Sequence, residues 1–235
     1  MFSYKIKLIS LSFCVLLVVI GCSNKSVDRE YVEYVNPLIG TAPLNTISSV
    51  KHSINSENNS QVIPSVTSPF AMTNWTPQTQ SVETKCIAPY YYIDSVLSGF
   101  RGTHWLSGSC TQDYGSFTLM PLLNTINLSP QNRGSKFSHD KELSSPYYYK
   151  VHLDSYNIDA EMTATARSGY LRFTFNNSDS GVIVIEPNSD ENEGFVEIIS
   201  EQNEIIGFNP AHRIYQGWGE RTGFSGYFVA KFDQK

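Results

Sequence analysis

Three stretches gather the side chains that bind polar ligands. Ser68–Thr79 reads SPFAMTNWTPQT and carries Trp75. Gly99–Gly115 carries Arg101, His104, Trp105, Asp113 and Tyr114 among glycines. Asn209–Glu220 carries His212, Arg213 and Trp218. Glycine-dense segments lose much conformational entropy on ordering, and loops held at that cost commonly serve binding. Sugars suit such surfaces: a pyranose lays its C–H face on an aromatic ring, and its hydroxyls exchange hydrogen bonds with Asp, Arg, Asn or His. Each Trp has two readings, a sugar platform or a core residue that pins its loop.

Other chemistries lack their residues. The chain has no GxSxG, no P-loop, no GxGxxG and no HExxH. Asn188-x-Asp190-x-Asn192 begins like a calcium loop, but its glycine falls one place late at Gly194, and Ile199 stands where the closing Glu is required. Asp190, Glu191 and Glu193 then read as solvated charges on a turn. There is no CxxC and no His/Cys cluster, so no metal ligands are assigned. Cys86 and Cys110 can pair or stay as thiols. The net charge is −5 with no basic patch, which argues against nucleic acid.

The N-terminus points to export. Lys5 and Lys7 precede an uncharged run from Leu8 to Cys22, the layout of a secretory signal and short for a membrane span of ~20 apolar residues. Val19-Ile20-Gly21-Cys22 resembles a bacterial lipobox. Residues 1–21 are therefore expected to be a lipoprotein signal peptide, Cys22 the lipid attachment site, and 22–30 a polar tether. Ser23 is not acidic, which by resemblance to lipoprotein sorting favours the outer membrane, on its periplasmic or surface face.

The elements that must hold the ligand-binding stretches read as strands. Aromatics make up 13% and charged residues 17% of the chain, a β-rich extracytoplasmic balance. From residue 115 onward alternation dominates. Ala160–Arg167 places Glu161, Thr163 and Thr165 on one face and Met162 and Ala164 on the other. After a turn at Ser168-Gly169, Tyr170–Phe175 sends Leu171, Phe173 and Phe175 one way, which predicts a hairpin. Val182–Glu186, Phe195–Ile199, Glu204–Phe208 and Phe224–Phe232 are further strands. The sum is an all-β, antiparallel sandwich over 31–235. Residues 44–68, and the three ligand-binding stretches, read as loops. Phe224–Phe232 is apolar for an edge, which suggests a domain incomplete at its C-terminus.

Several motifs occur in the order seen in one enzyme family. Tyr34-Val35-Asn36-Pro37-Leu38-Ile39-Gly40-Thr41, then Pro69-Phe70-Ala71-Met72 with Trp75-Thr76-Pro77-Gln78-Thr79, then Gly99-Phe100, Thr103-His104, Leu106-Ser107-Gly108 and Asp113-Tyr114-Gly115 resemble the family 92 glycoside hydrolases. Phe137-Ser138-His139, Tyr148-Tyr149 and Glu161–Thr165 continue in family order. The departures are Ala71 for a usual Gly, an insert at 44–66, and Arg101-Gly102 with Trp105 around Thr103-His104.

The resemblance implies the N-terminal β-sandwich, similar to galactose-mutarotase-type supersandwich domains, of an exo-α-mannosidase. The family's acid, base and calcium ligands lie in a following helical barrel. No catalytic residue is therefore assigned to this chain, and calcium is expected only for the complete enzyme. Trp75, His104 and Trp105 are the expected sugar contacts, with Arg101 and Asp113 holding the loop. The expected partners are a mannose-containing glycan, a separately encoded barrel domain and a membrane. A stand-alone glycan-binding lipoprotein and a non-functional remnant are the alternatives.

Overall fold

The computed structural model describes residues 30–43, 47, 62–82, 87–105, 113, 115–123, 126–176, 180–188, 192–212 and 219–233. The signal, Cys22, Cys86, Cys110, Trp218 and Asp190 lie outside the described residues. The chain divides into Met1–Tyr34 and Val35–Lys235. In the first unit, Tyr31–Tyr34 forms a 3-10 turn.

The second unit is an antiparallel β-sandwich. Its strands are β1 (Asn74–Gln78), β2 (Val96–Leu97), β3 (Gly99–Thr103), β4 (Phe117–Leu122), β5 (Ser135–Lys136), β6 (Glu142–Ser145) and β7 (Tyr148–Leu153). They continue with β8 (Ile158–Ala164), β9 (Gly169–Phe175), β10 (Val182–Pro187), β11 (Phe195–Ile199), β12 (Glu204–His212) and β13 (Arg221–Lys231). One sheet has the order β1-β3-β4-β10, a second is the meander β6-β7-β8-β9, and a third is β11-β12-β13, with β2 and β5 paired separately.

Alternation explains the meander. Tyr149, Val151 and Leu153 on β7 and Ile158, Ala160 and Met162 on β8 are buried, and Leu171, Phe173 and Phe175 on β9 pack against the same core. Phe100 on β3 meets this layer, 6.5 Å from Tyr149 and 5.6 Å from Phe173 between ring centroids. The third sheet joins through Phe228 on β13, whose ring stacks on Phe117 of β4 at 4.3 Å. Trp75 on β1 meets the other side of that contact, edge-on to Phe117 at 5.7 Å. A packed aromatic pair adds ~0.5–1.5 kcal/mol beyond its area burial, so these rings tie the sheets together.

Two stretches expected as loops are strands. β1 and β3 pair from Asn74↔Thr103 to Gln78↔Gly99, and nearly every residue in them is buried. A strand covered on both faces shows no alternation, and here Pro77, Gly99 and Gly102 look like punctuation. β12 also runs past Phe208 to His212, and β13 begins at Arg221.

One approach requires glycine on both sides. Gly115, at φ +66°, lies against Gly226 of β13; a Cβ added to Gly226 would sit 2.1 Å from the Gly115 Cα. Gly226→Ala is expected to destabilise the domain by ~1–3 kcal/mol through overpacking. Gly223, at φ +84° with open space around it, should cost only the left-handed strain of ~1–2 kcal/mol when changed to Ala. Urea denaturation of both variants checks this. A Gly226→Ala protein as stable as the parent would show that the backbones do not meet.

Candidate functional site

Asp113 organises the segment that the sequence singled out. Its Oδ2 accepts from the Thr103 hydroxyl at 2.5 Å and from Arg101 Nη1 at 3.2 Å, and its Oδ1 accepts from the His104 backbone N–H at 2.8 Å. The Thr103 hydroxyl in turn accepts from the Trp105 N–H at 3.0 Å. One carboxylate thus sets the backbone of both His104 and Trp105. Asp113 and Arg101 are each only 1% exposed. At that burial an unpaired charge costs several kcal/mol, so the ion pair is a condition of folding.

The network extends into β1 and β4. Arg101 Nε donates to Gln78 Oε1 at 2.9 Å. The Thr118 hydroxyl lies 2.9 Å from the same oxygen and 3.0 Å from Asn188 Oδ1, with one proton to give. Asn188 donates from Nδ2 to the Ser116 hydroxyl and from its backbone N–H to the Ser116 carbonyl, and Asn209 donates to the Asn188 carbonyl.

The three expected sugar contacts sit differently. The side chain of His104 is half-buried, with Nε2 3.4 Å from the Thr73 hydroxyl. Trp75 lies inside, between Phe117 and the backbone of Gly169. Trp105 packs with Ile63, Ala88 and Tyr91. Both indole N–H groups are buried with no partner among the described residues. The structure therefore brings His104 and Trp105 to one backbone anchor and connects Trp75 through the neighbouring strand, while both indole rings form wall rather than surface. Among the described residues, no group of three or more His, Cys, Asp or Glu could hold a metal ion.

Two clusters were not legible as sites. Glu142 accepts from the hydroxyls of Tyr90 at 2.9 Å and Tyr149 at 2.6 Å, and its Oε2 lies 2.5 Å from His139 Nδ1. His139 Nε2 is 2.6 Å from the Tyr92 carbonyl, and its ring stacks on Tyr92 at 3.9 Å. Burial first, and Glu142 second, push the Tyr90 and Tyr149 phenols far above their ordinary range. They stay protonated and clamp the carboxylate.

The second cluster lies on the outer face of the meander. Glu161 accepts from Arg172 Nε at 2.6 Å and Nη2 at 2.7 Å, and from the Tyr148 hydroxyl. The Arg172 and Tyr148 hydrogen bonds hold the Glu161 carboxyl at about 2, while burial and Glu161 lift the Tyr148 phenol to about 12. Beside it, Asp159 is lowered by His152 and Asn176. The hairpin register is a signal for this pair: placing the turn at 165–168 sets Glu161 opposite Arg172.

A family model, described as the glycosyl hydrolase family 92 N-terminal domain, matches residues 34–235. The chain belongs to glycoside hydrolase family 92. Among solved structures, this family 92 domain is similar to a family GH92 inverting mannosidase of Bacteroides thetaiotaomicron. Identity is 28% and the TM-score 0.69, over 86% of this chain and 25% of that one. A family GH92 alpha-mannosidase of the same organism matches at 31% identity and a TM-score of 0.67, over 86% and 26% of the two chains. The latter is also known in complex with mannoimidazole. The domain thus spans about a quarter of the length of these relatives. Comparison with curated protein sequences gave no match.

Two outcomes follow from these contacts. Asp113→Asn removes the buried carboxylate beside Arg101 Nη1, and should cost ~3–5 kcal/mol in urea denaturation. A loss below ~1 kcal/mol, the value of an exposed pair, would contradict the buried pairing. Because the folded Glu161 value lies below its ordinary 4.5, its contribution is present above pH 4.5 and is lost as the pH falls toward 2. Glu161→Gln should flatten the decline of the melting temperature across that window.

Proposed function

We propose that this chain supplies the sandwich part of an exported exo-α-mannosidase and lends the rim of its sugar site. The observation that carries the reading is the Asp113 anchor, which presents His104 and Trp105 from one carboxylate within a match to family 92. His104 touches the bound sugar, and Trp105 and Trp75 back it from the wall. Inverting hydrolysis needs an acid and a base ~6.5–9.5 Å apart around a water. On this reading both, with the calcium, reside in the helical domain that the resemblance implies. The substrate is then a mannose-containing glycan, in line with the mannosidase names of the similar structures. The localisation follows from Cys22: acyl chains there partition into lipid at ~0.8 kcal/mol per buried methylene and hold the domain at the outer membrane.

The test is hydrolysis of 4-nitrophenyl α-D-mannopyranoside by the 235-residue chain, alone and mixed with the helical domain of a family 92 mannosidase. The expected result is no turnover alone, turnover on mixing, and a loss of about tenfold in kcat/KM with His104→Ala, the scale of one hydrogen bond of ~1.4 kcal/mol. Turnover by the chain alone would overturn the division of labour. A mixture indifferent to His104→Ala would overturn the rim assignment, and a mixture that stays inactive while the chain alone binds mannosides would favour a stand-alone glycan-binding protein.

A further inference from the structure

The outer face of the β6–β9 meander carries a built depression that the rim reading does not use. Across β8 and β9, Thr163 faces Tyr170 and Glu161 faces Arg172; Lys150 on β7 stands opposite Glu161. Tyr148 flanks Thr163 from the β7 side, and Tyr148, Glu161, Met162, Thr163, Tyr170 and Arg172 line a trough of about 200 Å³. Its origin is simple. Neighbouring strands lie ~4.8 Å apart, so two tyrosines on either side of a threonine stand roughly 10 Å apart with a short side chain between them.

The trough's chemistry is specific. Its walls are two phenol rings, one fixed by the bond from the Tyr148 hydroxyl to Glu161 and the other, Tyr170, 64% exposed. Its end is the Arg172–Glu161 fork, where the carboxylate is 14% exposed and the guanidinium 63%. Opposite charges cancel within the fork itself, and the Lys150 ammonium beside it is exposed and screened by solvent. The trough offers oriented polarity instead. The Thr163 hydroxyl donates to the Tyr147 carbonyl at 2.8 Å, which leaves its oxygen an acceptor toward a ligand. Arg172 adds N–H donors beyond those bound to Glu161. A ligand matching this set is flat-faced, carries adjacent hydroxyls that both donate and accept, is uncharged and has the size of one ring. Drug-sized pockets run to ~300–1,000 Å³, so a larger ligand is excluded.

We propose that this trough binds a single neutral hexose unit, with the sugar ring against Tyr170 and its hydroxyls on Thr163, Glu161 and Arg172. The proposal rests on the reading of this chain as part of a glycan-processing protein, and adds to it a second sugar contact on the meander's outer face. Tyr148 and the fork are already held by hydrogen bonds in the folded state, so binding needs little reorganisation there.

Saturation-transfer NMR on the whole chain tests it, with methyl α-D-mannopyranoside as probe and D-glucuronate as an anionic comparison. Transfer to the neutral sugar is expected at millimolar concentration, and should exceed transfer to glucuronate. In a His104→Ala background, which removes the rim contact, Tyr170→Ala should reduce it at least fivefold, Tyr170→Phe should keep it, and Thr163→Phe, which fills the trough, should abolish it. His104→Ala should retain the signal from the trough. Transfer that survives Tyr170→Ala in that background, or that is lost with His104→Ala alone, would overturn the trough while leaving the rim reading intact. No transfer from wild type would also overturn it, whereas failure of the rim reading is seen separately in the mixed-domain hydrolysis. Tyr170 is exposed, so the pair Tyr170→Ala and Tyr170→Phe decides the matter even if Thr163→Phe misfolds.

Discussion

A guanidinium sealed from water must meet its counter-charge; Arg133 meets Glu186, and at the candidate rim Arg101 meets Asp113. The rim pair is not a decoration on a finished sandwich. Arg101 belongs to β3, the strand between β1 and β4, and its Nε reaches Gln78 on β1. Asp113 belongs to the segment that returns toward β4, and it takes the Thr103 hydroxyl and the His104 N–H in the same grip. Sheet order and the shape of the candidate sugar rim therefore rest on one ion pair. An interior of this kind is more demanding than an apolar one, because a missing partner leaves a charge or dipole without water.

Around this pair the core has two textures. The half facing the meander is apolar, with Phe100 of β3 against Tyr149 and Phe173. The other half is a seam of amides and hydroxyls running Gln78, Thr118, Asn188, Ser116 and Asn209. The apolar half supplies nondirectional cohesion. The polar seam supplies direction: each amide accepts only certain neighbours, so it sets register where β1 and β3 have no alternation of their own. The Glu142 clamp does the same for the segment carrying Tyr90 and Tyr92, through two phenols that stay protonated and an imidazole.

The sequence showed the meander well and this seam poorly, for physical reasons. Met162, Leu171, Phe173 and Phe175 alternate with polar residues because one face of their sheet meets water, and alternation is what a reader can see. Trp75–Gln78 and Gly99–Thr103 are covered on both faces, and their glycines, proline and hydroxyls read as loop. The Asp113 anchor was legible as a motif holding a loop, but the burial of Trp75 and Trp105 was not, since residue type and spacing do not say which side of a ring is covered. Glu142 was invisible: its phenolic partners lie 7 and 52 residues away. Glu161 and Arg172 stood in plain view once the hairpin register was set, but a surface ion pair ordinarily contributes little and drew no attention.

The contact between Gly115 and Gly226 also orders events in time. It joins points more than a hundred residues apart, and such long-range contacts form slowly because loop closure must precede them. During synthesis, which proceeds at ~5–20 residues per second, β1, β3 and Asp113 leave the ribosome well before β13 can reach them. Until then Gly115 lacks the backbone that packs on it, and Phe117 lacks Phe228. The β12–β13 hairpin thus acts as a keystone: the segment after Asp113 is packed on both sides only when β13 is in place.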